Sequence, residues 1–112
     1  MKRMRILVAN EPRTYRDVLA TALQTLRPHV AVMTSEPTDL DRNVVRFEPH
    51  LVLCTHLIEA VQTDCLAWIV FYPNGTRIVE VKIAGLQLTN ADLAFNELLA
   101  IIDHIERLAQ LR

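Results

Sequence analysis

The chain has 112 residues, about half of them hydrophobic and about a fifth charged, which suits one globular domain spanning 1–112 and excludes disorder. A formal net charge of −1 argues against nucleic acid as a partner, because phosphate binding needs clustered, unneutralised Lys and Arg. No apolar run approaches the ~20 residues of a membrane span, and the apolar stretch after the basic start is too short for a secretory signal core.

Met4 to Ala9 is a short apolar run with branched side chains, expected as a strand buried on both faces. The only basic cluster, Lys2, Arg3 and Arg5, reads as a solvated strand entrance. Asn10-Glu11-Pro12 ends the strand, with Pro12 suited to the first position of a helix. Tyr15, Val18, Leu19, Ala22, Leu23 and Leu26 then recur at helical spacing, which predicts an amphipathic helix with that stripe buried. Pro28 stops it.

Val30 to Met33 predicts a second strand, and Ser35 to Asp39 a helix start leading to Leu40, Val44 and Phe47 as a buried side. Pro49 closes that helix, and Leu51 to Cys54 is a third all-apolar strand followed by Thr55-His56. The order strand, helix, strand, helix, strand implies parallel pairing with right-handed crossovers, the three strands lying in the order 2-1-3.

The second half breaks the alternation. Residues 57–64 allow at most two helical turns, and residues 66–72 predict a long strand joining the sheet. Pro73-Asn74-Gly75-Thr76 predicts a tight two-residue hairpin turn, and residues 77–84 alternate as a half-exposed return strand, antiparallel to 66–72. Gly85 permits a turn or bulge. Thr89 and Asp92 have capping-box spacing ahead of a last helix over roughly 91–109. That helix is apolar nearly all round, which predicts a homodimer held by Phe95, Leu98, Ile102 and Ile105 or by the exposed edge of the hairpin.

Residues 4–55, with MRILVANEP at the first strand and PHLVLCT at the third, resemble the receiver domain of bacterial response regulators. The resemblance implies an α/β, flavodoxin-like (receiver-like) three-layer fold: a βαβαβ start, then a C-terminal β-hairpin and a final helix. It also shows where receiver chemistry would sit. The phosphate-accepting aspartate falls on Thr55, whose hydroxyl cannot form an acyl phosphate. The acidic pair falls on Asn10-Glu11, a poor anchor for magnesium. The switch hydroxyl falls near Tyr72-Pro73, and Lys82 stands in for the family's lysine without a following proline. The implied protein is a pseudo-receiver.

No residues take zinc-ligand spacing, and two glycines in the whole chain cannot build a phosphate cradle, so no metal or cofactor is expected. Cys54 and Cys65 read as reduced core thiols, consistent with a cytoplasmic protein. Asn10, Glu11, Thr55 and His56 fall at the carboxyl ends of parallel strands, where open α/β sheets place ligands. The same residues would equally serve as caps and turn formers. Two functional expectations follow: a non-catalytic regulatory module that binds a protein partner or itself, or a small-molecule-binding domain, conceivably an enzyme, using that crevice.

Overall fold

The computed structural model describes residues 3–72, 75–90 and 92–110. It is an α/β fold in which one six-stranded mixed sheet carries helices on both faces. The elements are β1 (Arg5–Ala9), α1 (Arg13–Leu26), β2 (Ala31–Thr34), a 3-10 turn (Pro37–Asp39) leading into α2 (Leu40–Phe47), β3 (Leu51–Cys54), α3 (Glu59–Asp64), β4 (Ala67–Phe71), β5 (Val79–Ile83), β6 (Leu86–Asn90) and α4 (Phe95–Gln110). The strand order is β2-β1-β3-β4-β5-β6. Strands β1 to β4 pair in parallel, and β5 and β6 return antiparallel.

Strand alternation divides the core. Ile6, Val8, Leu51, Leu53, Ala67, Ile69, Val79 and Val81 face α1 and α4, while Leu7, Ala9, Val52, Cys54, Trp68 and Val70 face α2 and α3. Strands β1, β3 and β4 therefore have no polar face, the pattern of strands covered on both sides. The polar row of β5 begins where that cover ends. Lys82 lies across from Trp68 and holds its ammonium 4.7 Å from the ring centroid, so the lysine stem lids the indole.

Helix α1 packs through a stripe one step round from the expected one. Arg16, Leu19 and Leu23 are buried, whereas Val18 is 62% and Leu26 51% exposed. Arg16 sets this rotation: its guanidinium is buried and bonds the Glu36 carboxylate at 3.0 Å beyond the end of β2. Pro12 precedes α1 rather than opening it, after a cis Glu11–Pro12 peptide. Helix α2 buries Leu40 and Val44 as expected and ends on Glu48, which takes the left-handed conformation at φ 50°.

The connection from β4 to β5 is longer than a two-residue turn. Tyr72 N–H donates to the Ile78 carbonyl at 2.9 Å, so residues 73–77 lie between the closing pair; Pro73 and Asn74, like Lys2, lie outside the described residues. The tight hairpin comes one connection later. Ala84 and Gly85, at φ 48° and 96°, join the paired residues Ile83 and Leu86. Positive φ at both central positions is what a type I′ turn requires. Strand β6 follows, and Thr89 belongs to it, so the expected cap at Thr89 does not form. Glu97 instead accepts the Ala94 N–H at 2.9 Å, the reciprocal half of a capping box three residues into the helix start.

The apolar girth of α4 is used within the chain. Leu98, Ile102 and Ile105 are buried against the sheet, and Leu93, Phe95, Leu99 and Ile101 pack at the margin of the same core. The flank toward α1 is polar and paired. Arg27 grips Asp103 with two bonds of 2.8 and 2.9 Å, and His29 lies 3.1 Å from Glu106. The expected interface at Phe95, Leu98, Ile102 and Ile105 is thus corrected. The chain's own sheet seals the last three, and Phe95 lies half-buried on the same core.

Candidate functional site

Strands β1, β3 and β4 end side by side at one rim of the sheet, and the residues just past them form a crevice of about 470 Å³. Glu11, Pro12, Tyr15, Thr55, Phe71 and Tyr72 line it. This volume is in the range of small-molecule sites, and the rim is where parallel sheets hold ligands.

Glu11 and Thr55 are joined here. The Glu11 N–H donates to Thr55 Oγ1 at 2.9 Å, which ties the end of β1 to the end of β3. The Thr55 hydroxyl thereby serves as an acceptor for backbone. His56 Nε2 lies 3.8 Å from Glu11 Oε1, with both side chains well exposed, a spacing at which an ion pair contributes little. Asn10 is fully buried, and neither its carboxamide oxygen nor its nitrogen has a hydrogen-bond partner among the described residues. So of the four residues expected at this rim, two line the crevice, one flanks it and one is sealed beside it in the chain.

The aromatic wall lies outside the residues that the strand ends single out in the sequence. The Tyr15 and Phe71 rings meet edge to face at 6.5 Å between centroids, and Phe71 and Tyr72 at 6.1 Å. Phe71 is buried and forms the floor; the two tyrosines are partly exposed. The Tyr72 hydroxyl donates to Asp92 Oδ1 at 3.1 Å. Burial raises the pKa of both phenols, and the Asp92 charge adds to it in each, so both stay protonated above the usual tyrosine range. Tyr15 had the spacing of a core residue and Tyr72 the position of a strand end. The available signal is that Tyr72 directly follows β4 and Tyr15 lies in the first turn of the helix after β1.

Among the described residues, no group of three or more His, Cys, Asp or Glu side chains is placed to hold a metal ion. Burial pushes the Cys54 thiol up to about 12 and the Cys65 thiol up to about 11, and both cysteines are free. Among the described residues, no helix is long and apolar enough to cross a membrane.

A second exposed feature lies at the far edge of the sheet. Leu86 is 62% and Leu88 48% exposed. Their pairing with Ile83 and Val81 puts them on the α4 side of the sheet, past the reach of that helix. No protein-family model matches the chain, and no curated protein matches it.

Proposed function

We propose that this domain is a non-catalytic regulatory module with a flavodoxin-like, receiver-like fold, which acts by binding protein, and that its partner is a second copy of itself. The observation that carries this reading is β6, an edge strand with two exposed leucines and no charged residue. Edge strands left open ordinarily carry charge, proline or a bulge that discourages pairing. The sequence Leu86-Gln87-Leu88-Thr89-Asn90 carries none of these. Antiparallel pairing of two copies about Leu88 sets Leu88 opposite Leu88, Gln87 opposite Thr89 and Leu86 opposite Asn90. No like charges meet, and the two Leu88 side chains cover each other. A specific contact of this kind buries more than roughly 1,000 Å² in total.

The rest of the reading is supported by the use of Thr55. The position that would accept phosphate in a receiver domain bears a hydroxyl already bonded to backbone. The two free thiols, one buried and one partly buried, suit a reducing compartment, and the cytoplasm is the setting that fits.

Sedimentation equilibrium at micromolar concentration tests the partner. The native chain is expected as a dimer and Leu88→Lys, which opposes two ammonium groups across the two-fold, as a folded monomer. A native chain that stays monomeric overturns the dimer. Incubation with acetyl phosphate or beryllofluoride and magnesium tests the chemistry: no modification and no NMR shift at residues 10, 11 and 55 is expected, and magnesium-dependent labelling there overturns the non-catalytic assignment.

A further inference from the structure

The crevice at the carboxyl ends of β1, β3 and β4 has a chemistry of its own, at a different place from the β6 edge. From its aromatic walls and flanking carboxylates we propose that it binds a small organic cation with an apolar body, such as an arylalkylammonium. Phe71 supplies an apolar floor and Tyr15 and Tyr72 the walls. An aromatic face is electron-rich and attracts a cation more than a neutral or anionic group. Glu11 lines the crevice, and Asp92 holds the Tyr72 hydroxyl at 3.1 Å. Asp92 is near enough to bear on the ionisation of both tyrosines.

The cations nearby in sequence are engaged elsewhere. Arg13 pairs with Asp17 along α1 at 3.6 Å, and Arg16 is buried on Glu36. His56 reaches Glu11 only at 3.8 Å with both side chains exposed, a contact that a ligand ammonium replaces at little cost. An anion entering the same space meets the Glu11 carboxylate, with Asp92 behind the Tyr72 hydroxyl, and the Glu11 N–H is already bonded to Thr55. A neutral apolar molecule fits the floor and leaves the Glu11 carboxylate without a ligand charge to pair with.

Three probes of one shape separate these cases: 2-phenylethylammonium, its neutral isostere 2-phenylethanol, and the anion phenylacetate. Binding is read by calorimetry and by NMR shifts at about 0.15 M salt, so that diffuse attraction is screened. Measurement in both the native chain and Leu88→Lys keeps the outcome separate from that of the dimer. The ammonium is expected to bind at least about tenfold more tightly than the alcohol, with shifts at Tyr15, Thr55 and Tyr72, and phenylacetate not at all. Glu11→Gln, an exposed change that leaves the fold intact by thermal melting, is expected to remove most of that preference. Equal affinity for ammonium and alcohol, no ammonium binding up to about 10 mM, or an undiminished preference in Glu11→Gln with Asp92→Asn would each overturn the proposal.

Discussion

Ile102 is the residue on which the two uses of α4, core or interface, diverge most. It is not exposed at all in the single chain: its relative accessibility is 0%, on the sheet-facing side of the helix. Ile102→Ala removes three carbons, a transfer loss of about 2.4 kcal/mol at ~0.8 kcal/mol per methylene. A void of roughly 50 Å³ left unrelaxed adds about 1 kcal/mol at ~24 cal/mol per Å³, for a loss of about 3–4 kcal/mol. The unfolding entropy of 112 residues, at ~2.1 cal/mol/K each, converts this to a fall in Tm of about 15 °C. Urea unfolding followed by circular dichroism, with protein varied from about 5 to 500 µM, is the assay. The same loss is expected at every concentration, with an unchanged denaturant slope. Val18→Ala, on an exposed face of α1, is expected to change stability by less than about 0.5 kcal/mol. A loss below about 1 kcal/mol for Ile102→Ala, or one that grows with dilution, would refute the assignment of this face to the monomer core.

Other substitutions probe separate parts of the structure. Arg27→Met is expected to destabilise the fold only slightly at neutral pH, because the Arg27 side chain is 26% and its partner Asp103 37% exposed. The Arg27 guanidinium holds the Asp103 carboxyl below its usual range, so the native advantage is full above the unfolded value of ~3.9 and fades as pH falls through the lower folded value; denaturation of both proteins between pH 6 and 2 reads the convergence. Cys54, buried with its thiol pushed up to about 12, is expected to resist iodoacetamide at pH 7.4 in the native state and to react fully in denaturant, and rapid native alkylation by mass spectrometry would contradict its burial. Glu48→Gly is expected to stabilise the fold by about 0.5 kcal/mol, because φ 50° strains a side chain there while the bond from Arg5 goes to the Glu48 carbonyl and survives; Glu48→Ala, which keeps the β-carbon, is expected to give no such gain in the same melts.

The parallel half of the sheet was legible because its strands are covered on both faces. Leu51 to Cys54 and Ile6 to Ala9 contain no polar residue, and only a central strand tolerates that. The face of α1 was less legible, since Val18 and Leu26 share a helical period with Leu19 and Leu23, and only the anchoring of Arg16 on Glu36 selects one stripe. Strand β6 was hidden by two competing local signals. Asn74-Gly75 is stronger turn chemistry than Ala84-Gly85, yet the type I′ geometry occurs at the second. Thr89 and Asp92 have cap spacing, yet pairing with β5 claims Thr89 for the sheet. At the rim, Glu11 and Thr55 could be found from strand ends alone. Tyr15 could not be placed with Phe71 and Tyr72, because contact between residues so far apart in the chain depends on which way α1 is turned.

The lid that Lys82 forms over Trp68 makes the molecule its own spectroscopic reporter. Trp68 is the single tryptophan, and it sits at the seam where parallel pairing gives way to the antiparallel strands. Its emission therefore speaks for one place. A phenylethylammonium in the crevice lies past the end of β4 and is expected to leave the indole signal steady. Any separation of β5 from β4 lifts the ammonium away and lets water reach the ring, so the colour of that one fluorophore registers opening of the seam before the parallel core gives way.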